Sequence, residues 1–196
     1  MTTQVTGSGV NFNGSTSGTI LLTQPAVAGS NTLTLPAETG TLRSTVSSGT
    51  VLQIVNYQTG ALATGGTAIP QDDTIPQITE GNEYMTLAIT PRSATSLLLV
   101  EVVCVSSPSG ADWITVALFQ DAIANALAAT ITYFAGANEA APLDLIYSAT
   151  SGSTTARTFR VRGGTASSTF TFNGAASARR MGGVCSSSIT ITEVVP

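Results

Sequence analysis

The chain of 196 residues has no histidine and no lysine, and only 9% of it is charged, against about a quarter in an ordinary globular domain. Without histidine the usual general base near neutral pH is missing. Ser/His/Asp and Cys/His arrangements are excluded outright, and lysine nucleophiles with them. What remains for hydrolysis is a carboxylate pair of the glycosidase kind. Asp72, Asp73, Glu80, Glu83, Glu101 and Asp112 are the candidates; Tyr84 follows Glu83 and Trp113 follows Asp112, but no cluster of aromatic residues of the kind that lines a sugar cleft flanks any of them. The expectation is a protein that is not an enzyme. Cysteine is scarce too. Cys104 and Cys185 make no disulfide framework, and without histidine they assemble no soft-metal site. Cys104 sits in an apolar strand pattern, where a free cysteine acts as a small hydrophobe. Asp72, Asp73 and Glu80 offer oxygen ligands of the kind Ca²⁺ takes, but their spacing matches no EF-hand loop, and a turn with capping carboxylates is the plainer reading. Neither a metal nor a cofactor is expected.

Long apolar runs are also missing. The longest, Leu97 to Val105, is broken by Glu101 and is too short for a membrane helix. No basic stretch leads an apolar run at the N-terminus, so no signal peptide is expected. The net charge is −4, and the seven arginines are scattered apart from Arg157, Arg160 and Arg162 and the pair Arg179-Arg180. A phosphate backbone needs clustered positive charge, so neither nucleic acid nor membrane is an expected partner. Arg179-Arg180 could pair with phosphate or with Glu101 of a neighbouring copy; a solvated loop is the default. Gly163-Gly164 and Gly182-Gly183 open no phosphate-binding helix and read as turn glycines.

What the chain does have is Ser, Thr, Gly and Ala, and a repeat. Leu22-Thr23-Gln24-Pro25-Ala26-Val27-Ala28-Gly29-Ser30 returns as Leu33-Thr34-Leu35-Pro36-Ala37-Glu38-Thr39-Gly40-Thr41. Each unit is a short strand, a proline that cannot donate to a ladder and a glycine that can take positive φ, so each should extend and then bend. A segment of about 45 residues built this way buries too little to have its own core. Residues 1–46 therefore read as an extended attachment arm, with Ile20, Leu22, Pro25, Val27, Leu33, Leu35, Pro36 and Leu42 as its gripping side chains. A flexible linker is the alternative.

Residues 47–196 read as strands separated by turn chemistry. Val51 to Tyr57 is apolar on both faces, as for a buried strand. Glu83 to Thr90 alternates, with Met85, Leu87 and Ile89 on one side and Tyr84, Thr86 and Thr90 on the other. Leu97 to Ser106 puts Leu98, Val100, Val102 and Cys104 on one apolar face. Leu97, Leu99, Val103 and Val105 form a second face, interrupted by Glu101. A strand apolar on both sides is central and covered on both sides. In a two-sheet sandwich the outer face must meet something else, so Leu97, Leu99, Glu101 and Val103 are assigned to a subunit interface, where Glu101 would need a partner. Trp113 to Gln120 is a further strand. Asp121 to Ala129 reads as the bend of a hairpin, because Ile131 to Phe134 follows at strand-pair distance. Leu143 to Ser148, Thr158 to Arg162, Ser168 to Asn173 and Ser187 to Val194 complete the set. Phe159, Val161, Phe170, Phe172, Ile189 and Ile191 point inward. About nine strands and no convincing helix give an all-β chain: an extended N-terminal arm followed by the signature of a β-sandwich or jelly roll, with the strand order left open.

Two blocks carry a family resemblance. The run from Ser17 to Leu42 resembles a segment near the N-termini of tailed-bacteriophage fibre and virion-surface proteins. Asp72-Asp73-Thr74-Ile75-Pro76-Gln77, Glu80-Gly81-Asn82-Glu83-Tyr84 and Leu87-Ala88-Ile89-Thr90-Pro91 are similar to a block in phage tail and virion-surface proteins. So is the ending Arg179-Arg180-Met181-Gly182-Gly183 with Ser187 to Glu193. The resemblance implies that residues 47–196 form a β-sandwich of jelly-roll type, a homotrimeric knob on the surface of a virion assembled in the host cytoplasm. Two functions follow as expectations. One is a capsid decoration (cement) protein or head fibre, with the arm lying on the major capsid protein or another virion protein. The other is a short tail fibre or adhesin whose knob binds a host surface receptor. A secreted signalling trimer of the TNF or C1q kind is disfavoured by the arm and by the lack of a visible signal peptide.

Overall fold

A computed structural model describes residues 10–13, 19–22 and 48–196 of the chain. By internal contacts the chain divides into two units, Met1–Ser44 and Thr45–Pro196. In the first, β1 (Val10–Asn13) and β2 (Thr19–Leu22) pair antiparallel, with Val10 opposite Leu22 and Asn13 opposite Thr19. These two stretches therefore form a ladder with each other.

The second unit holds β3 (Val51–Thr59), β4 (Ala63–Gly65), β5 (Asn82–Ile89), β6 (Leu97–Pro108) and β7 (Asp112–Gln120). It continues with β8 (Ala128–Phe134), β9 (Ala141–Thr150), β10 (Arg157–Thr165) and β11 (Phe170–Phe172). The short β12 (Gly174–Ala175) and β13 (Ala178–Arg179) precede β14 (Ser187–Val194). Among the described residues there is no α-helix, only a 3-10 turn at Met181–Gly183.

Apart from the small β12-β13 ladder, the pairing resolves into two antiparallel sheets. One runs β3-β14-β6, with β9 on the far side of β6 and the short β11 and β4 extending the same sheet. The other runs β5-β10-β7-β8. The chain passes from one sheet to the other in the order β3, β5, β6, then the hairpin β7-β8, then β9, β10, β14. That is the double Greek-key connectivity of an eight-stranded jelly roll. Met85 and Ile89 on β5, Ile114, Val116 and Leu118 on β7, and Phe159 and Val161 on β10 face Leu98, Val100, Val102 and Cys104 on β6, all 0–2% exposed. The alternation of each strand places one apolar face in this core.

Three strand readings need correction. Val51 to Tyr57 is not a buried strand. β3 is paired only to β14 at the sheet's edge, and Val51, Ile54 and Tyr57 are 49%, 60% and 40% exposed. Tyr84 does not face away from Met85. Val161 pairs with Met85 and Arg162 with Glu83, so Tyr84 is the extra residue of a β-bulge. The bulge turns its ring inward, where it stacks 4.9 Å from both Phe170 and Phe172. Gly163-Gly164 is not a turn but lies inside β10. A Cβ on Gly163 would come within 2.6 Å of the Phe170 ring, and one on Gly164 within 2.8 Å of the Thr67 carbonyl oxygen. The two glycines let the inner and outer layers approach the same strand closely.

The β5-β10-β7-β8 sheet is covered on its outer side. Ile69 is fully buried against Gly164, its N–H donates to Thr165 O at 3.2 Å, and Gln71 Nε2 donates to Thr115 Oγ1 at 2.7 Å. This explains why β7 is buried on both faces through Ala117 and Phe119, while Trp113 at its start is 42% exposed.

Candidate interaction surface

The assigned interface residues share one face. Antiparallel partners project to the same side, so the register fixes the surface row by row. Leu99 lies between Thr192 of β14 and Ser148 of β9, Glu101 between Thr190 and Ile146, and Val103 between Ser188 and Asp144. Leu97 lies between Val194 and Thr150. Leu97 and Leu99 are half-buried, Glu101 is exposed and Val103 is 37% exposed. Ile146, opposite Glu101, is 74% exposed, and Ile54 of β3, opposite Thr192, adds another exposed side chain. Sequence reasoning missed Ile146 and Ile54, because their place beside β6 follows from strand order and not from local alternation.

Of the arm residues, Ile20 and Leu22 lie in β2. Pro25, Val27, Leu33, Leu35, Pro36 and Leu42 lie outside the described residues.

The candidate carboxylates go to separate tasks. Glu83 pairs with Arg160 at 3.0 Å and Arg162 at 3.6 Å. Glu80 accepts from Gln77 N at 2.9 Å, whereas Asp72 accepts from Thr74 N at 2.9 Å and from the Thr74 hydroxyl. The hydroxyl bond and the backbone bond hold the Asp72 carboxyl below its ordinary value. Asp112 is buried and accepts from Ser167 N at 3.0 Å, Ser168 N at 2.8 Å and Trp113 N at 2.8 Å. Burial alone would raise its pKa, but these bonds to the charged form outweigh it and the net shift is downward. Among the described residues no group of three His, Cys, Asp or Glu side chains is arranged to hold a metal ion.

One carboxylate was not singled out in the sequence. Glu193 is fully buried at the end of β14. It accepts from Gln53 Nε2 at 2.5 Å, Arg92 N at 2.8 Å, Ser93 N at 3.2 Å and Ser96 Oγ at 2.5 Å. It thereby fastens the 91–96 turn to two strands of the other sheet. Burial pushes its pKa up, but the bonds from Ser96, Gln53, Ser93 and Arg92 more than compensate, and the carboxyl lies below its ordinary value.

Cys104 and Cys185 are both free thiols. Burial drives the Cys104 thiol up to about 12, so it is a packing residue and not a nucleophile. Arg179 and Arg180 are exposed, beside the equally exposed Met181 and Val184.

No protein-family model matches the chain, and no curated protein sequence matches it. Among solved structures, the VP2 subviral particle of infectious bursal disease virus is similar over 91% of this chain at 13% identity, with a TM-score of 0.28. The chain spans about half of that protein's length, 47%. A likeness at that level is too slight to argue from.

Proposed function

We propose that this chain is a structural protein of a tailed-bacteriophage virion: a homotrimeric decoration protein or head fibre whose N-terminal arm docks on the capsid. The observation that carries this reading is the outer face of β6. Leu97, Leu99 and Val103 are only half-covered there, with Ile146 and Ile54 beside them. A jelly roll that leaves apolar residues clustered on one outer face, among so few charges, suits a fixed assembly better than a free monomer. The proline- and glycine-punctuated repeat supplies the attachment segment.

Particle reconstruction tests the location. Density for the chain is expected at symmetry-related points of the capsid lattice; density confined to the tail tip overturns the capsid assignment. Particles mixed with full-length chain and with a variant lacking residues 1–44 test the arm. Only the full-length chain should co-sediment.

The second reading, a short tail fibre or adhesin, is favoured by one observation. Trp113 and Tyr133 lie side by side on the outer surface, 42% and 51% exposed, with ring centroids 5.1 Å apart. Binding of the soluble protein to host cells, lost on substitution of either ring, would support it.

A further inference from the structure

On the outer side of the β7-β8 hairpin the paired residues form a graded series. Ala117 pairs with Ala129, Thr115 with Ile131, and Trp113 with Tyr133. Each step along this face is about 6.6 Å, two residues of strand. Thr115 and Ala117 are buried under the covering segment, so the open floor is the β8 row Ala129, Ile131 and Tyr133, which rises from a small side chain to an aromatic ring with Trp113 beside it. The 70–76 segment forms the opposite wall. Two hollows lie between, of about 410 Å³ and about 160 Å³. They share Asp72, Thr74, Pro76 and Ala129, so they adjoin, and the smaller one reaches Ile131, one step from the aromatic pair. Asp73 stands on the larger one. Neither is lined by an arginine.

We propose that this groove binds a neutral oligosaccharide. The exposed faces of Trp113 and Tyr133 carry negative quadrupole charge, which attracts the partly positive C–H groups of a pyranose face. The two rings are tilted 55° to each other, so they do not cover one another's faces completely. Asp72 and Asp73 accept hydrogen bonds from sugar hydroxyls, and the threonine hydroxyls of the groove both donate and accept. With two carboxylates and no cation on its walls, the groove repels sulfated or carboxylated sugars. The larger hollow falls within the range of about 300–1,000 Å³ typical of small-ligand sites, while a stable protein partner would need about 800 Å² of surface from each side. The groove lies on the sheet opposite to the β6 face, so a trimer built on β6 leaves it open. It gives the second reading above a ligand class, but binding does not depend on where the chain sits on a virion. A chain that binds sugar yet fails to join particles overturns only the virion reading, and the converse overturns only the groove.

Trp113 is the only tryptophan, so the emission of the full-length protein reports on the aromatic end of this groove, beside Ile131. The probes are chitohexaose, cellohexaose and mannohexaose, with a heparin hexasaccharide as the anionic counterpart and an extended valine- and threonine-rich hexapeptide as a strand-pairing competitor. A saturable emission change is expected with at least one neutral hexasaccharide, at a Kd of about 0.1–1 mM, and with neither of the others. Tyr133→Ala should weaken that binding about tenfold or more. Asp73→Asn, at an exposed loop position, should weaken it about threefold without changing the melting temperature, and carries the test if Tyr133→Ala does not fold. The proposal is overturned if no neutral hexasaccharide changes the emission at about 10 mM, if only heparin or the peptide does, or if neither substitution alters binding.

Discussion

Glu193 is the residue on which the sandwich's closed end depends most. Its carboxylate answers two backbone N–H groups, a serine hydroxyl and a glutamine amide from segments about 100 or more residues away in sequence. Glu193→Gln would turn an amide NH₂ toward donors that need an acceptor, and should cost about 2–3 kcal/mol in urea unfolding. The pH dependence follows from the direction of its shift. The folded carboxyl titrates below its ordinary value of 4.5, so its stabilisation is complete above that pH and is lost as pH falls through the lower, folded value. Asp112 acts in the same sense. Unfolding curves between pH 7 and pH 3 should show a steep acid loss in the native protein and a shallower one in Glu193→Gln; parallel curves would show that other groups govern acid stability. Tyr84 is a contrasting case. Its hydroxyl is buried with no hydrogen-bond partner among the described residues, and burial first, then the neighbouring Cys104, push its pKa up. Tyr84→Phe keeps the stack with Phe170 and Phe172 and removes the orphaned hydroxyl. It should raise stability by about 1 kcal/mol, read as a higher denaturant midpoint at unchanged slope.

At the scale of elements, the proposed association rests on β6. Its inner face is the centre of the core, so no substitution there separates assembly from folding. Its outer face allows that separation. Leu99→Glu together with Val103→Glu places charge where the monomer is already partly wet, so the melting temperature should change little. If the proposed trimer is built on this face, the mass by light scattering should fall from a trimer to a monomer. A trimer that survives both substitutions would move the interface elsewhere. The double glycine of β10 makes an opposite prediction. Gly164→Ala sets a methyl against the Thr67 carbonyl and the Ile69 side chain, with no flexible atom to yield on the backbone side. It should cost about 2 kcal/mol or more in thermal unfolding, without affecting oligomer mass. The inward residues of β5, β6, β10 and β14 were legible from alternation, because one buried face writes a period of two into any strand. Tyr84 was not legible, since a bulge shifts the period by one residue and leaves no compositional mark. β3 misled for a related reason: an edge strand that leaves Val51, Ile54 and Tyr57 exposed has the same composition as a buried one.

For the whole molecule, the core is assembled from β5 to β14, with Val55 and Ala63 packed against it. A variant lacking residues 1–44 should therefore unfold cooperatively at the melting temperature of the full chain, and differ from it only in binding to particles. A large fall in melting temperature would give the arm a share in the knob's stability. By itself the sequence determined the all-β class, the inward face of most strands and the absence of histidine and lysine chemistry. Those follow from composition and from a local periodicity that no neighbour can change. Only the tertiary structure decided that β3 is an edge, that Trp113 lies open beside Tyr133, and that Glu193 is buried among donors from the 91–96 turn and β3. Each of these depends on which distant strand lies alongside, and strand order is set by the balance of long-range pairings and closure across the whole sandwich. The candidate groove belongs to this second kind, because its two walls come from segments about 40 to 60 residues apart that meet only when the 66–81 connection folds over the sheet.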